Sequence, residues 1–244
     1  MWLVICFIIF VFIRQFFCWQ RQWAVNRWRR KLNLAAHQSI YNELYSVVNG
    51  FALSQRARQN GDAVEYVYGE IDFESFIALL SLCNVDQTTR FYDLGSGTGK
   101  AVLACAIVFP VKVSCGVELL TELYQCSKKQ VNRLAKWPDY AEQVKHIHFI
   151  NSNFLTVPLN DATHIFINAT SFFGDLWQRI SDHVEQINDG MIVISTSKKI
   201  KSKKFIVIRI VPVKMSWGIV EAYIQQRLPN FKNDIDTENC TTVN

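Results

Sequence analysis

Asp93, two residues ahead of Gly95, opens a stretch in which glycine recurs at Gly97 and Gly99, within RFYDLGSGTGKAVL. A short apolar run ends in an acid, glycines follow at alternate positions, and an apolar helical segment begins. Such a turn lets main-chain N–H groups lie directly against a ligand at the mouth of a helix, where a Cβ would collide. A second apolar run ends in Glu118, placed to accept hydrogen bonds from ribose hydroxyls as in dinucleotide-binding βαβ units. This is chemistry for an adenosine cofactor. The glycine spacing is G-x-G-x-G, one residue tighter than the G-x-G-x-x-G of nicotinamide and flavin sites. A phosphate-binding loop is excluded twice, because Leu94 stands where its first glycine belongs and Ala101 follows Lys100.

The version D-L-G-S-G-T-G is similar to the first motif of class I S-adenosylmethionine (SAM) methyltransferases. Further motifs follow in order: Tyr68-Gly69-Glu70 ahead of a helix, G-V-E ending at Glu118, Asn153-Phe154, I-F-I-N ending at Asn168, S-T-S-K ending at Lys198, and Ser216-Trp217. Over roughly residues 63–228 the chain resembles the disruptor-of-telomeric-silencing family, the non-SET histone lysine methyltransferases. The resemblance implies SAM as cofactor and a role for each matching residue. Tyr68 and Glu70 lie in the loop closing over the methionine part. Asp93 and Gly95, with Gly97 and Gly99 in the same turn, hold the amino-acid end, Glu118 the ribose, and Asn153 with Phe154 the adenine. Asn168 sits at the methyl-transfer centre, and Trp217 and Tyr223 line the lysine channel, so Asn168, Tyr68 and Tyr223 are the candidate catalytic residues. Two positions depart from the family pattern: Asn153 replaces an acid, and Ile71 replaces a small hydroxyl residue.

The chemistry of the residues agrees. Transfer from a sulfonium to an amine is an in-line displacement, so the protein aligns the groups and excludes water and needs no nucleophilic side chain. An Asn at a strand end offers an oxygen to orient an incoming N–H, and aromatic walls desolvate lysine and favour its neutral form. For Asn168 the alternative is a strand-end turn residue, and for Trp217 and Tyr223 ordinary edge packing. His146 and His148 alternate on a strand with no third ligand nearby, and no metal is expected.

The elements that must position these residues read as strands alternating with helices, with parallel pairing and right-handed crossovers. After the nucleotide motif we expect a helix over residues 119–137, strands at 146–150 and 164–168, a helix near 174–187 and a strand at 191–195. Strands at 205–213 and 220–228 are joined too closely for a crossover and form an antiparallel pair. The expected fold class is therefore α/β, a seven-stranded class I methyltransferase (Rossmann-like) sheet with an antiparallel C-terminal hairpin. Residues 32–62 read as a small helical cap broken at Asn49-Gly50, residues 63–228 as the methyltransferase domain, with Asp72 capping a helix, and 229–244 as a polar tail.

Charge is distributed unevenly. Residues 1–42 hold six cations and no acid, leaving 20 cations against 21 acids elsewhere. A near-neutral globular part lacks the footprint of a protein that grips nucleic acid by its phosphates. The seven cysteines show no C-x-x-C pair and read as small buried hydrophobes. Residues 1–13 are apolar and, after Arg14-Gln15, the apolar character resumes to Trp19. With the Trp and Arg residues that follow, residues 1–31 read as an N-terminal membrane helix and basic flank, a single-pass anchor through residues 1–19 that keeps the catalytic domain on the cytoplasmic side. A surface-lying helix and an organelle presequence are the alternatives. Residues 198–204 contain five lysines, either a solvated loop or a patch for an acidic partner or lipid headgroups. The expected function is a membrane-tethered SAM-dependent methyltransferase acting on a protein lysine. The alternatives are a lipid or other small molecule as acceptor, or a non-catalytic SAM-binding scaffold.

Overall fold

Short apolar runs rich in Ile, Val and Phe become strands buried on both faces, as parallel strands sandwiched between helices must be. The structure is a computed structural model and describes residues 2–58 and 68–229. Strands β1 (Arg90–Leu94), β2 (Val113–Glu118), β3 (Ile147–Asn151), β4 (His164–Ile167) and β5 (Ile192–Thr196) pair in parallel. The hairpin β6 (Phe205–Met215) and β7 (Gly218–Arg227) joins antiparallel, with β7 against β5. The resulting seven-stranded sheet has the order β3-β2-β1-β4-β5-β7-β6. Its chain reversal lies between β1 and β4, where α/β sheets open a crevice at the carboxyl ends of their strands.

Successive side chains of β1 and β4 feed opposite layers, as the strand period of two requires. Phe91 and Phe166 join Phe76, Leu103 and Leu134 on one face, whereas Leu94 and Ile165 join Trp177, Ile180 and Val184 on the other. The first layer is made by α4 (Phe73–Ser81), α5 (Lys100–Val108), α6 (Thr121–Leu134) and the short α7 (Ala141–Lys145), the second by α8 (Gly174–Glu185). Asp72 caps α4 as its position suggests, its carboxylate accepting from the Ser75 N–H at 3.1 Å. The break at Asn49-Gly50 separates α2 (Leu34–Tyr45) from α3 (Gly50–Ala57), with Asn49 capping α3 through the Ala52 N–H at 3.0 Å. Those helices are tied to the domain by Tyr45, whose hydroxyl donates to the Thr98 carbonyl at 3.1 Å, and by Arg133, which donates to the Leu44 and Glu43 carbonyls.

The N-terminal segment requires a correction. Residues 2–31 form one helix, α1 (Trp2–Lys31), and among the described residues no helix is long and apolar enough to cross a membrane. The apolar run of residues 1–13 falls short of the roughly 20 residues a span needs, and Arg14 and Gln15 interrupt it before the same helix turns polar. Its last turns pack on the domain: Trp28 Nε1 donates to Ser81 Oγ at 3.1 Å, and Arg29 pairs with Glu74 at 2.6 Å. The membrane helix, the membrane partner assigned to residues 1–19 and the single-pass location with a cytoplasmic catalytic domain therefore fall away. The expected domain start at residue 63 and the tail over 230–244 lie outside the described residues.

Candidate active site

A cavity of about 260 Å³ opens at the carboxyl ends of β1, β2 and β4. Tyr68, Glu70, Asp93, Gly95, Gly97, Glu118, Asn153, Phe154 and Asn168 all line it. Residues separated by a hundred positions are thus gathered by the strand order alone.

The two acids sit side by side and differ in their partners. Glu118 ends β2 with one oxygen accepting from the Gly97 N–H at 2.7 Å and the other from the Leu120 N–H at 2.8 Å. Burial pushes its pKa upward and those N–H donors pull against the shift. Asp93 is only 3% exposed, and burial, then the neighbouring Glu118, raises its pKa to about 8. It holds a proton at neutral pH until a cation is brought against it. Ser96 Oγ is buried with no hydrogen-bond partner among the described residues, and it too belongs to the lining. The far wall is apolar, with Leu119, Leu120, Phe154, Leu155 and Phe172, the rings of Phe154 and Phe172 lying 5.7 Å apart. Two buried carboxyls and an unpartnered hydroxyl at one end, and flat apolar walls at the other, suit a ligand with an ammonium, a ribose and an adenine ring.

The loop of residues 68–70 closes one side. Tyr68 Oη donates to Glu70 Oε1 at 2.7 Å and meets Thr98 Oγ1 at 2.9 Å, while Glu70 Oε2 takes Lys100 Nζ at 2.5 Å. The Tyr68 ring lies so close over the turn that a Cβ on Gly97 would stand 2.6 Å from it, at a backbone φ of +55°. The β6–β7 turn stitches this loop down: Ser216 N–H donates to the Glu70 carbonyl at 2.8 Å and Asp72 N–H to the Lys214 carbonyl at 2.8 Å. Asn168 supplies a third link, its Nδ2 donating to the Gly69 carbonyl at 3.0 Å. Its Oδ1 accepts from Thr196 Oγ1 at 2.8 Å and Thr170 Oγ1 at 3.2 Å. The oxygen expected to face an incoming amine is thus engaged by two hydroxyls in this arrangement. Asn153 Oδ1 similarly caps the turn that follows it, accepting from the Leu155 N–H at 3.0 Å.

Three sequence-expected residues lie off the cavity lining. Gly99 begins α5 behind the turn, where a Cβ would stand 2.5 Å from Phe149. Trp217, 46% exposed, lays its ring on Gly69 at the outside of the closing loop. Tyr223 lies in a neighbouring cleft, its hydroxyl donating to Glu221 at 2.6 Å. Conversely, Lys100, Phe172 and Arg179 line the cavity without having been singled out from sequence. Lys100 had a signal, since it occupies the first helical position after the glycine turn. Phe172 and Arg179 had none, because only the crossover from β4 to α8 brings them over the sheet.

Lys198 organises that crossover. Its Nζ donates to the carbonyls of Ala169 at 2.8 Å, Thr170 at 3.2 Å and Phe172 at 2.6 Å, and lies 3.6 Å from the Phe173 ring centroid. It holds the turn that carries Phe172 into the cavity wall and follows directly on Asn168.

The histone-lysine N-methyltransferase, H3 lysine-79 specific, of Caenorhabditis elegans is 30% identical over 150 residues, 58% of this chain and 16% of that protein. Its Drosophila melanogaster namesake is 24% identical over 175 residues, 68% of this chain and 9% of that protein. The chain therefore spans less than a fifth of the length of either relative. Both are named for a histone, with which the expected membrane location does not agree. Among solved structures, an RNA methyltransferase from Salinibacter ruber in complex with S-adenosyl-L-homocysteine superposes with a TM-score of 0.52 at 19% identity, covering 67% of this chain and 96% of that one. That likeness shows the class I methyltransferase fold. The family described as histone methylation protein DOT1 matches residues 53–221, more than half of the chain, and the chain belongs to that family.

Proposed function

We propose that the chain is a SAM-dependent protein-lysine N-methyltransferase. The observation that carries this reading is the convergence of Asp93, Glu118, Asn153 and Asn168 on one cavity in a chain of the DOT1 family. Asp93 would hold the ammonium of the cofactor's amino-acid end, Glu118 its ribose hydroxyls, and Asn153 with Phe154 its adenine. When bound, the cofactor supplies an activated methyl group on a sulfonium.

The chain's own contribution is alignment. Asn168 binds the end of β4 to the 68–70 loop, so the floor and the lid of the cavity keep one geometry. Phe172 and Tyr68 exclude water from the space between them, and a dry apolar wall lowers the pKa of an entering lysine, freeing its lone pair. Asn168 with the 68–70 loop would hold that lone pair in line with the methyl carbon that bound SAM offers. Holding donor and acceptor in line is where such a site gains its rate.

The test is transfer of label from tritiated SAM to protein by wild type and by Asn168→Ala. Label in protein that depends on Asn168 is expected. Label that enters only the organic extract, or that is unchanged in the variant, overturns the reading.

A further inference from the structure

A second cleft of about 620 Å³ lies beside the cofactor cavity and shares Phe172 with it. It runs between the start of α8 and the β6–β7 hairpin, with Phe173 and Tyr223 inside, Val207 and Ile210 along one wall, and Lys199 and Lys201 on the rim. β6 is the last strand of the sheet. Its apolar side chains stay open, with Ile206 44%, Val207 40%, Ile208 45% and Ile210 51% exposed. Proteins normally blunt or cover an edge of this kind, and an apolar patch at a site's margin marks a binding surface.

Charge narrows the occupant. Lys199, Lys201 and Lys203 are exposed with no acid between them, and among the described residues no ion pair holds them. Lys204 is paired with Glu185 at 2.9 Å, and Lys198 is turned inward onto three carbonyls. A second copy would bring the same lysines to this face, and like charge opposes its docking.

We propose that this cleft takes the residues flanking the acceptor lysine and selects an extended acidic polypeptide with one apolar side chain. Carboxylates meet Lys199 and Lys201 on the rim and Lys203 just beyond it, and the apolar side chain lies between Phe173 and Ile210. The assignment rests on the methyl-transfer reading above, because the shared Phe172 wall leads a chain from the cleft to the cavity once its lysine enters there.

The test uses the full chain, tritiated SAM and three pools of short synthetic peptides, each with one central lysine and acidic, neutral or basic flanks. Wild type is expected to label the acidic pool about tenfold faster than the neutral one at limiting peptide, the effect of a few complementary charges. The triple variant K199E/K201E/K203E should lose or invert that preference. Its affinity for S-adenosylhomocysteine, the demethylated product, should stay within about twofold of wild type, since these lysines lie on the surface outside the cofactor cavity. Lysine labelling without charge preference, or a preference that survives in the triple variant, overturns the cleft assignment and leaves the methyl-transfer reading standing. No labelled peptide in any pool, with the product still bound, overturns both. A dimer in sedimentation that the triple variant dissociates assigns the face to a second copy. A preference that appears only when residues 230–244, which include Asp234, Asp236 and Glu238, are removed assigns the cleft of the intact chain to its own tail. Either result overturns the proposal.

Discussion

Cofactor binding should release a proton, and Asp93 is the group that releases it. Burial and the adjacent Glu118 raise its pKa to about 8, so about a tenth of the carboxyl is ionised at pH 7. The sign follows from the direction of the shift. An acid whose folded pKa is raised stabilises the ligand-free fold fully only below its unfolded pKa, and that contribution is lost as pH rises through about 8. A ligand ammonium favours the ionised form, so binding must expel the proton held below that pH. Affinity for S-adenosylhomocysteine should therefore rise about tenfold per pH unit from pH 6 towards 7.5. Above about 8 Asp93 is already ionised before the ligand arrives, and the profile levels off. Titration calorimetry in two buffers of different ionisation enthalpy reads the effect directly, with close to one proton released per ligand at pH 6.5. Asp93→Asn keeps the shape and removes the titration, so its weaker binding should be flat across the range. A flat wild-type profile with no proton released would refute the assignment of Asp93 to the ammonium.

Four further outcomes are expected. Asn168→Ala removes the tie between β4 and the 68–70 loop and should lower turnover about 100-fold while product affinity falls less than tenfold, as read by steady-state kinetics beside calorimetry. Glu118→Gln sets an amide N–H against one of the two backbone N–H donors and should weaken product binding about 10- to 100-fold, a loss on the scale of a charged hydrogen bond or two. Lys198→Met leaves three carbonyls without their donor and should cost about 2 kcal/mol, a fall of roughly 4–8 °C in Tm for a chain of this size. Gly97→Ala places a Cβ 2.6 Å from the Tyr68 ring at a φ of +55°. It should cost about 1–2 kcal/mol in backbone strain and displace Tyr68, measurable as lost Tm together with a raised KM for SAM.

Local signals read well and distant ones did not. The glycine turn, Glu118 at a strand end and the Asp72 cap are each written in a few adjacent residues, and the structure forms each element where the pattern lies. The strand–helix alternation likewise carried the sheet, with boundaries shifted by up to three residues, because hydrophobic period distinguishes strand from helix better than it marks their ends. Lys198 could not be assigned in this way. Five lysines in a run look like a solvated loop, and only the β5 register turns one of them inward onto the carbonyls of residues 169–172. Trp217 and Tyr223 are close in sequence yet part company, since one sits on the β6–β7 turn over Gly69 and the other points from mid-strand into the second cleft. The N-terminal apolar run misled for a related reason. Composition reports how apolar a segment is, but not that Arg29 and Trp28 at its far end are fixed to α4 as part of one continuous helix.

The most direct measurement is the chemical identity of the labelled product. Wild-type protein incubated with tritiated SAM and lysine-containing polypeptide should yield methyl-lysine on acid hydrolysis, and Asp93→Asn and Asn168→Ala should abolish or sharply reduce it. SAM bound without any methyl-lysine formed, or methyl-lysine formed equally by both variants, would contradict the assignment of this cavity to lysine methylation.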